Sequence, residues 1–185
     1  MKKTQINLKL RNDILEKLDC KAKEEHRTRT NLIEKLIIDY LGTRQYWLWV
    51  NSGDMDIGAD ISEGEMDIWN GCDPRTLKGD LVLIYRTSPH KHIKYLAEVL
   101  EDAQEDEIWT QKGDKMGFTC QFRILKKFED PLKISQMRNY ESLTDWYPLK
   151  VSFIRMVFKI EENNWKTLRD ILITKNMDAK DVFNE

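Results

Sequence analysis

Residues 78–85 read Lys78-Gly79-Asp80-Leu81-Val82-Leu83-Ile84-Tyr85, and residues 93–99 read Ile93-Lys94-Tyr95-Leu96-Ala97-Glu98-Val99. The Lys-Gly-Asp turn delivers a continuous apolar run, which predicts a strand at the centre of a sheet. Ile93 to Leu100 is its expected neighbour, joined through the polar loop from Thr87 to His92. Working outward, Tyr46-Trp47-Leu48-Trp49-Val50 is a dense aromatic strand that runs into Asn51-Ser52-Gly53-Asp54. Phe118–Leu125 and Val151–Ile160 read as two more strands. Ser135 is placed to cap a short helix, and Asn163 or Asn164 to open a last one carrying Trp165, Leu168, Ile171 and Leu172. Residues 53–67 read as an acidic loop with one helical turn near 61–67, residues 103–114 as a charged stretch with Trp109 isolated in it, and residues after 175 as a frayed tail. Roughly five strands with small helices predict a compact mixed β-barrel, because closure removes open edges.

The first 43 residues follow a different pattern. Ile6, Leu8 and Leu10 alternate with Gln5, Asn7 and Lys9, the period of a half-buried strand. Ile14, Leu15, Leu18 and Ala22 recur at helical spacing, so residues 13–25 form a helix that Asn12 or Asp13 can cap. Glu25 to Asn31 breaks the period. Thr28 is a candidate N-cap for a second helix over 29–41, with Leu32, Ile33, Leu36, Ile37, Tyr40 and Leu41 on its apolar face and Gly42 beyond it. One strand and two helices cannot bury a sufficient core alone, since units near about 40 residues need a metal, disulfides or a partner. Two copies resolve this by pairing their strands across a two-fold axis. The ribbon so formed displays Gln5, Asn7 and Lys9, residue types that read base edges in a major groove. Arg27, Thr28 and Arg29 flank the start of the second helix, where free N–H groups favour a phosphate.

On I6-N-L-K-L-R-N-D-I-L-E-K-L followed by R27-T-R-T-N-L-I-E-K-L, the head resembles ribbon-helix-helix modules of the CopG/Arc/MetJ type. The resemblance implies base contacts from Gln5, Asn7 and Lys9 and backbone contacts from Arg27, Thr28 and Arg29. One departure is His26, where that family often has Gly to relieve a left-handed turn. On Y46-W-L-W-V-N, W69-N-G, K78-G-D-L-V-L-I-Y and I93-K-Y-L-A-E-V, the body resembles the EVE domain of the PUA-like superfamily. The resemblance implies a reader that accommodates a modified base, such as a methylated cytosine, in an aromatic-walled pocket. Candidate pocket residues are Asn51, Ser52, Trp69, Tyr85, Ser88 and Trp146, with Trp69 and Trp146 as opposing walls. The same tryptophans can also simply fill a core, as Trp47 and Trp165 are expected to do.

Composition narrows the alternatives. Residues 1–45 hold 11 Lys and Arg against 7 Asp and Glu, a balance of +4, while the remainder holds 19 against 25. The head is basic and the body acidic, within a net charge of −2. Cys20, Cys72 and Cys120 are isolated, so no zinc or dithiol motif is present, and an odd count far apart suits a reducing cytosol. No apolar leader or run of 18 apolar residues occurs, so a cytoplasmic chain is expected. No nucleophile elbow, phosphate-cradling loop or dinucleotide fingerprint appears, and Cys120 with His90 or His92 reads better as a core cysteine near surface histidines. The expectation is therefore an α+β chain, not an enzyme, without metal or cofactor. An intertwined dimeric ribbon-helix-helix module spans 1–43, a PUA-like mixed β-barrel with peripheral helices spans 44–175, and 176–185 is a tail. Its expected partners are duplex DNA, a modified nucleobase or small heterocycle, and a second copy of itself. The alternative is an antitoxin-like repressor whose body grips a protein partner.

Overall fold

A computed structural model describes residues 7–41, 44–51, 61–108 and 115–184. The body is built on a seven-stranded mixed sheet. Its strands are β1 (Tyr46–Asn51), β2 (Met66–Asn70), β3 (Leu81–Arg86), β4 (His92–Val99), β5 (Gln104–Ile108), β6 (Lys115–Lys133) and β7 (Val157–Ile160). The spatial order is β2-β6-β4-β3-β1-β7, with β5 also paired to β6.

The expected barrel is not what forms. Strands β2 and β7 end the order without pairing to each other, so the sheet stays open. The physical reason lies in β6, whose 19 residues serve β2, β5 and β4 in turn. Register shifts where β4 meets β6 bend that long strand, and bulges of this kind let a sheet coil without closing. The charged stretch after Ala103, not expected as a strand, supplies β5: Gln104 pairs with Thr119 and Glu107 with Met116. Strand-poor residues were recruited there because the first half of β6 offered a free edge.

Strands β3 and β4 sit where the apolar runs put them, paired antiparallel from Leu81↔Glu98 to Arg86↔His92. Strand β1 lies parallel to β3 and antiparallel to β7. Side chains alternate between two cores. One face buries Leu48, Val50, Leu81, Leu83 and Tyr85 beneath α5 (Glu162–Lys175), whose Trp165, Leu168 and Leu172 close it. The opposite face buries Trp47, Trp49, Val82, Ile84 and Tyr95 with Trp69 and Phe122. Two short helices, α3 (Ile134–Met137) and α4 (Tyr147–Lys150), follow β6. The α3 start is held by Lys133 N–H donating to the Gln136 side chain at 3.0 Å, not by Ser135. Residues after 175 are packed rather than frayed. The Asn176 side-chain oxygen accepts the Asp130 N–H at 3.0 Å, and α6 (Lys180–Asn184) buries Phe183 against Phe128 and Trp165.

In the head, α1 (Asn12–Glu24) and α2 (Arg29–Leu41) form where periodicity placed them. Arg11, not Asn12 or Asp13, takes the N-cap position of α1. The Thr28 hydroxyl accepts the Asn31 N–H at 3.2 Å, and His26 adopts the left-handed turn at φ 50°. Only Leu32 of the expected α2 apolar face is buried; Leu36, Ile37, Tyr40 and Leu41 are exposed, because two helices from one chain provide no second layer. Residues 7–10, expected as part of a strand, form no strand and pair with no other described strand. Gln5, Ile6 and Gly42 lie outside the described residues, as do Ser52 and Trp109.

Candidate functional site: an aromatic and charged groove at the sheet edge

Strand β7 is an edge, and beside it the chain opens a groove of about 450 Å³. Its floor and walls come from β7, from α4 and from the loop after β2. Tyr147 opens α4 and is half exposed, because Pro148 next to it and Leu149 after it take the buried positions. The Arg155 guanidinium lies over the Tyr147 ring, 5.5 Å from its centre. On the other side, Arg75 and Lys159 both approach the Trp47 indole, at 5.9 and 5.8 Å from its centre. Asp73 holds Arg75 through two hydrogen bonds of 2.8 Å. Burial works against ionisation of Asp73, but the Arg75 guanidinium outweighs it and keeps the carboxyl below the usual range. The groove therefore offers one aromatic face, two cations already partnered, Arg155, and the carboxylates of Asp145 and Glu161.

Beneath the groove lies a buried polar knot. Asp80 accepts the Trp47 indole N–H at 2.7 Å, the Leu77 N–H at 2.9 Å and the Gln45 N–H at 3.0 Å. The Gln45 side chain bridges outward, accepting from Lys159 at 2.6 Å and donating to the Arg75 carbonyl at 2.9 Å. Burial pushes the Asp80 carboxyl up to about 6, against the pull of its three N–H donors and Lys159. This knot ties β1, the turn before β3 and β7 together, and so fixes the groove's cationic side.

The sequence-derived pocket residues are not gathered into one site. Trp146 lines the groove but is buried, edge-on to Phe153. Tyr85 is buried and stacks on Phe153 at 4.0 Å. Trp69 belongs to the other face of the sheet, stacked on Trp49 at 4.8 Å and edge-on to Phe122. Trp69 and Trp146 therefore belong to different cores and do not face each other as walls. Asn51 ends β1, where its carbonyl accepts the Thr87 N–H at 2.9 Å, and Ser88 is exposed in the β3–β4 hairpin. The indole N–H groups of both Trp49 and Trp69 are buried without an acceptor among the described residues. Each such orphan costs roughly 1–3 kcal/mol. Missed in the sequence were Arg75, Tyr147, Arg155 and Lys159. Only Tyr147 carried a signal, an aromatic residue directly before a proline in a polar loop.

In the head, Asn7 and Lys9 are exposed. Arg29 is paired at the surface with Asp19 at 2.5 Å. Arg27 is buried instead: its guanidinium donates to the carbonyls of Pro74 and, at 3.4 Å, Ala103. Around it, His26 meets Glu105 at 2.5 Å and Lys35 meets Asp102 at 2.5 Å. The turn before α2 thus docks on the body.

Comparison with known proteins agrees with this architecture. Residues 45–171 match the model of the EVE domain. The chain belongs to the EVE domain family. Solved structures with a similar fold include Rpa0253 of Rhodopseudomonas palustris, at 20% identity and TM-score 0.55, over 66% of this chain and 89% of that one. Atu2648 of Agrobacterium tumefaciens matches at 16% identity and TM-score 0.54, over 71% and 93%. Human THYN1, solved in complex with 5-methylcytosine containing DNA, matches at 12% identity and TM-score 0.50, over 71% and 98%. None of the curated proteins matches significantly. These likenesses cover the EVE domain, and the ribbon-helix-helix reading of the head rests on its own residues. The match covers residues 45–171. Within them, the hydrogen bond with Cys72 and burial push the Cys120 thiol up and keep it protonated. Among the described residues no helix is long and apolar enough to cross a membrane.

Proposed function

We propose that this chain is a DNA-binding protein whose EVE domain takes a modified nucleobase in the groove between Tyr147, Arg155 and Lys159. The observation that carries it is the half-exposed Tyr147 ring beneath the Arg155 guanidinium, in a groove of about 450 Å³ at the edge of an EVE sheet. A flipped base needs a stacking face and polar groups for its edge, and a groove of this size lies within the usual range for small ligands. The human relative solved with 5-methylcytosine containing DNA supports methylated cytosine as the first base to try. Stacking on an aromatic ring contributes about 1–3 kcal/mol per base. In a titration with duplexes carrying plain or methylated cytosine, Tyr147→Ala is expected to weaken the preferred duplex about 5- to 150-fold. Equal affinity for both duplexes in the wild type would sink the base-reading claim.

A second reading puts the base against Trp69, favoured by the orphaned indole N–H groups of Trp49 and Trp69. A base carbonyl would accept one of them. Trp69→Phe keeps the ring and deletes the donor, so loss of preference in Trp69→Phe but not Tyr147→Ala would select this site.

The head is read as a ribbon-helix-helix dimer that contacts duplex DNA through Gln5, Asn7 and Lys9. Supporting this, Leu8, Leu36, Ile37, Tyr40 and Leu41 expose apolar surface that a second head would cover. A Gln5/Asn7/Lys9 triple alanine variant is expected to bind duplex at least about tenfold more weakly at fixed salt, since base contacts contribute roughly 1–3 kcal/mol each. A monomer in sedimentation at micromolar concentration would overturn the dimer.

A further inference from the structure

The body is acidic overall, yet two of its segments contain no Asp or Glu at all: residues 86–94 and residues 131–140. They lie far apart in sequence, and the sheet brings them together. Arg86 pairs with His92 across β3 and β4, and His92 pairs with Lys133 across β4 and β6. The Lys91 carbonyl accepts the Ile134 N–H at 2.9 Å, which fixes the hairpin beside the start of α3. Arg138 follows one turn later and is exposed. Across adjacent strands about 4.8 Å apart, Arg86 and Lys133 flank His92 on either side, with no acidic residue among the three. Among the described residues none of Arg86, Lys91, Lys133 and Arg138 has an ion pair; the nearby Asp130 is taken by Lys175 at 2.7 Å. The row does not stop at β3. The Val50 N–H donates to the Met156 carbonyl at 2.8 Å, so the chain entering β7 carries Arg155 past the same end of the sheet.

We propose that this sheet end, with Arg86, His90, Lys91, His92, Lys133 and Arg138, is a contact surface for the phosphate backbone of duplex DNA. A linear array of unpaired cations suits a polyanion better than a single small anion. Its end at Arg155 continues into the groove, so backbone held along the row delivers a nucleotide to Tyr147. The surface rests on the nucleic-acid reading above and adds the backbone contacts to it. Burial and then the positive charge of His90, Lys94, Arg86 and Lys133 depress His92 to about 4. The imidazole is thus neutral at physiological pH, and the fixed charges of the lysines and arginines do the attracting.

The test uses the full chain and an unmodified duplex, so that it does not read base preference and fails separately from the groove. Arg86→Glu/Lys133→Glu is expected to lose on the order of 10- to 100-fold in affinity at 100 mM salt and about 2 units of the slope of log affinity against log salt. The Arg86→Gln/Lys133→Gln pair should lose about 2 units of slope with a smaller drop in affinity. The same losses are expected when Asn7→Ala/Lys9→Ala has already weakened the head. Unchanged slope and affinity in both pairs would overturn the surface. Polyglutamate competing as well as duplex at equal charge would overturn it in favour of an acidic peptide.

Discussion

Replacing Asp80 with alanine is expected to destabilise the body more than any other single polar change. The carboxylate is 2% exposed and is the shared acceptor of three N–H groups from β1 and the turn before β3. Its removal leaves the Trp47 indole, Leu77 and Gln45 donors buried and unpaired, each costing about 1–3 kcal/mol. The Leu77 donor also orders the turn that launches β3, and the other two sit at the start of β1 beside it, so the losses concentrate in one place. A drop of about 4–6 kcal/mol in urea unfolding is the expected result, close to the whole stability of many domains. Asp80→Asn is the instructive comparison. It keeps the shape but offers one acceptor oxygen, and its amide hydrogens would face an N–H donor.

The pH dependence of Asp80 has a definite sign. A carboxyl raised from 3.8 to about 6 holds its proton more firmly folded than unfolded. Its contribution is therefore most favourable below pH 4, falls as pH rises through 4 to 6, and is level above that. The fall amounts to about 3 kcal/mol over that window. Urea titrations at pH 4.5 and 7 should show this component in the wild type and not in Asp80→Asn. A wild-type stability that does not differ from the variant in its pH slope would mean that the N–H donors compensate burial fully.

How much of this was legible in the sequence depends on whether a residue's role is set locally. The apolar runs at 81–84 and 93–99 gave their strands, and the N-cap at Thr28 and the left-handed turn at His26 could be placed, because each depends on a few neighbours. The acidic stretch that became β5 could not, because its strand state is imposed by the free edge of β6. Sheet closure is likewise non-local: it turns on whether the two end strands meet. The pocket failed to assemble from Trp69 and Trp146 for the same reason. Trp69 takes its face from β2 once strand order is known, while Trp146 precedes α4, and the two joined different cores. The groove cations Arg75 and Lys159 were invisible singly, since what distinguishes them is a shared position about the Trp47 ring.

Arg27 shows the same limit at the junction of head and body, and its replacement should have the second large effect. As a basic residue in the turn before α2 it reads as a phosphate contact. Folded, its side chain is 2% exposed, with Glu25 at 3.4 Å and the carbonyls of Pro74 and Ala103 as acceptors. Hydrogen bonds from a charged donor contribute about 1.5–3 kcal/mol each. Desolvation of the guanidinium offsets part of that, so Arg27→Ala is expected to loosen docking by about 3 kcal/mol. That corresponds to roughly a hundredfold rise in the open population. Hydrogen exchange at α1 and α2 should accelerate by that factor while exchange in β3 and β4 holds steady. Arg29→Ala, which loses only a surface pair with Asp19, should leave exchange nearly unchanged. The contrast matters for DNA, because Arg27 cannot touch a phosphate while it holds Pro74 and Ala103. If the head binds duplex through this turn, Arg27 must leave the body, and binding should itself accelerate exchange at residues 73–75 and 102–105. Protection of those residues on adding duplex would instead mean that the docked head is the binding form and that Arg27 is a structural clamp.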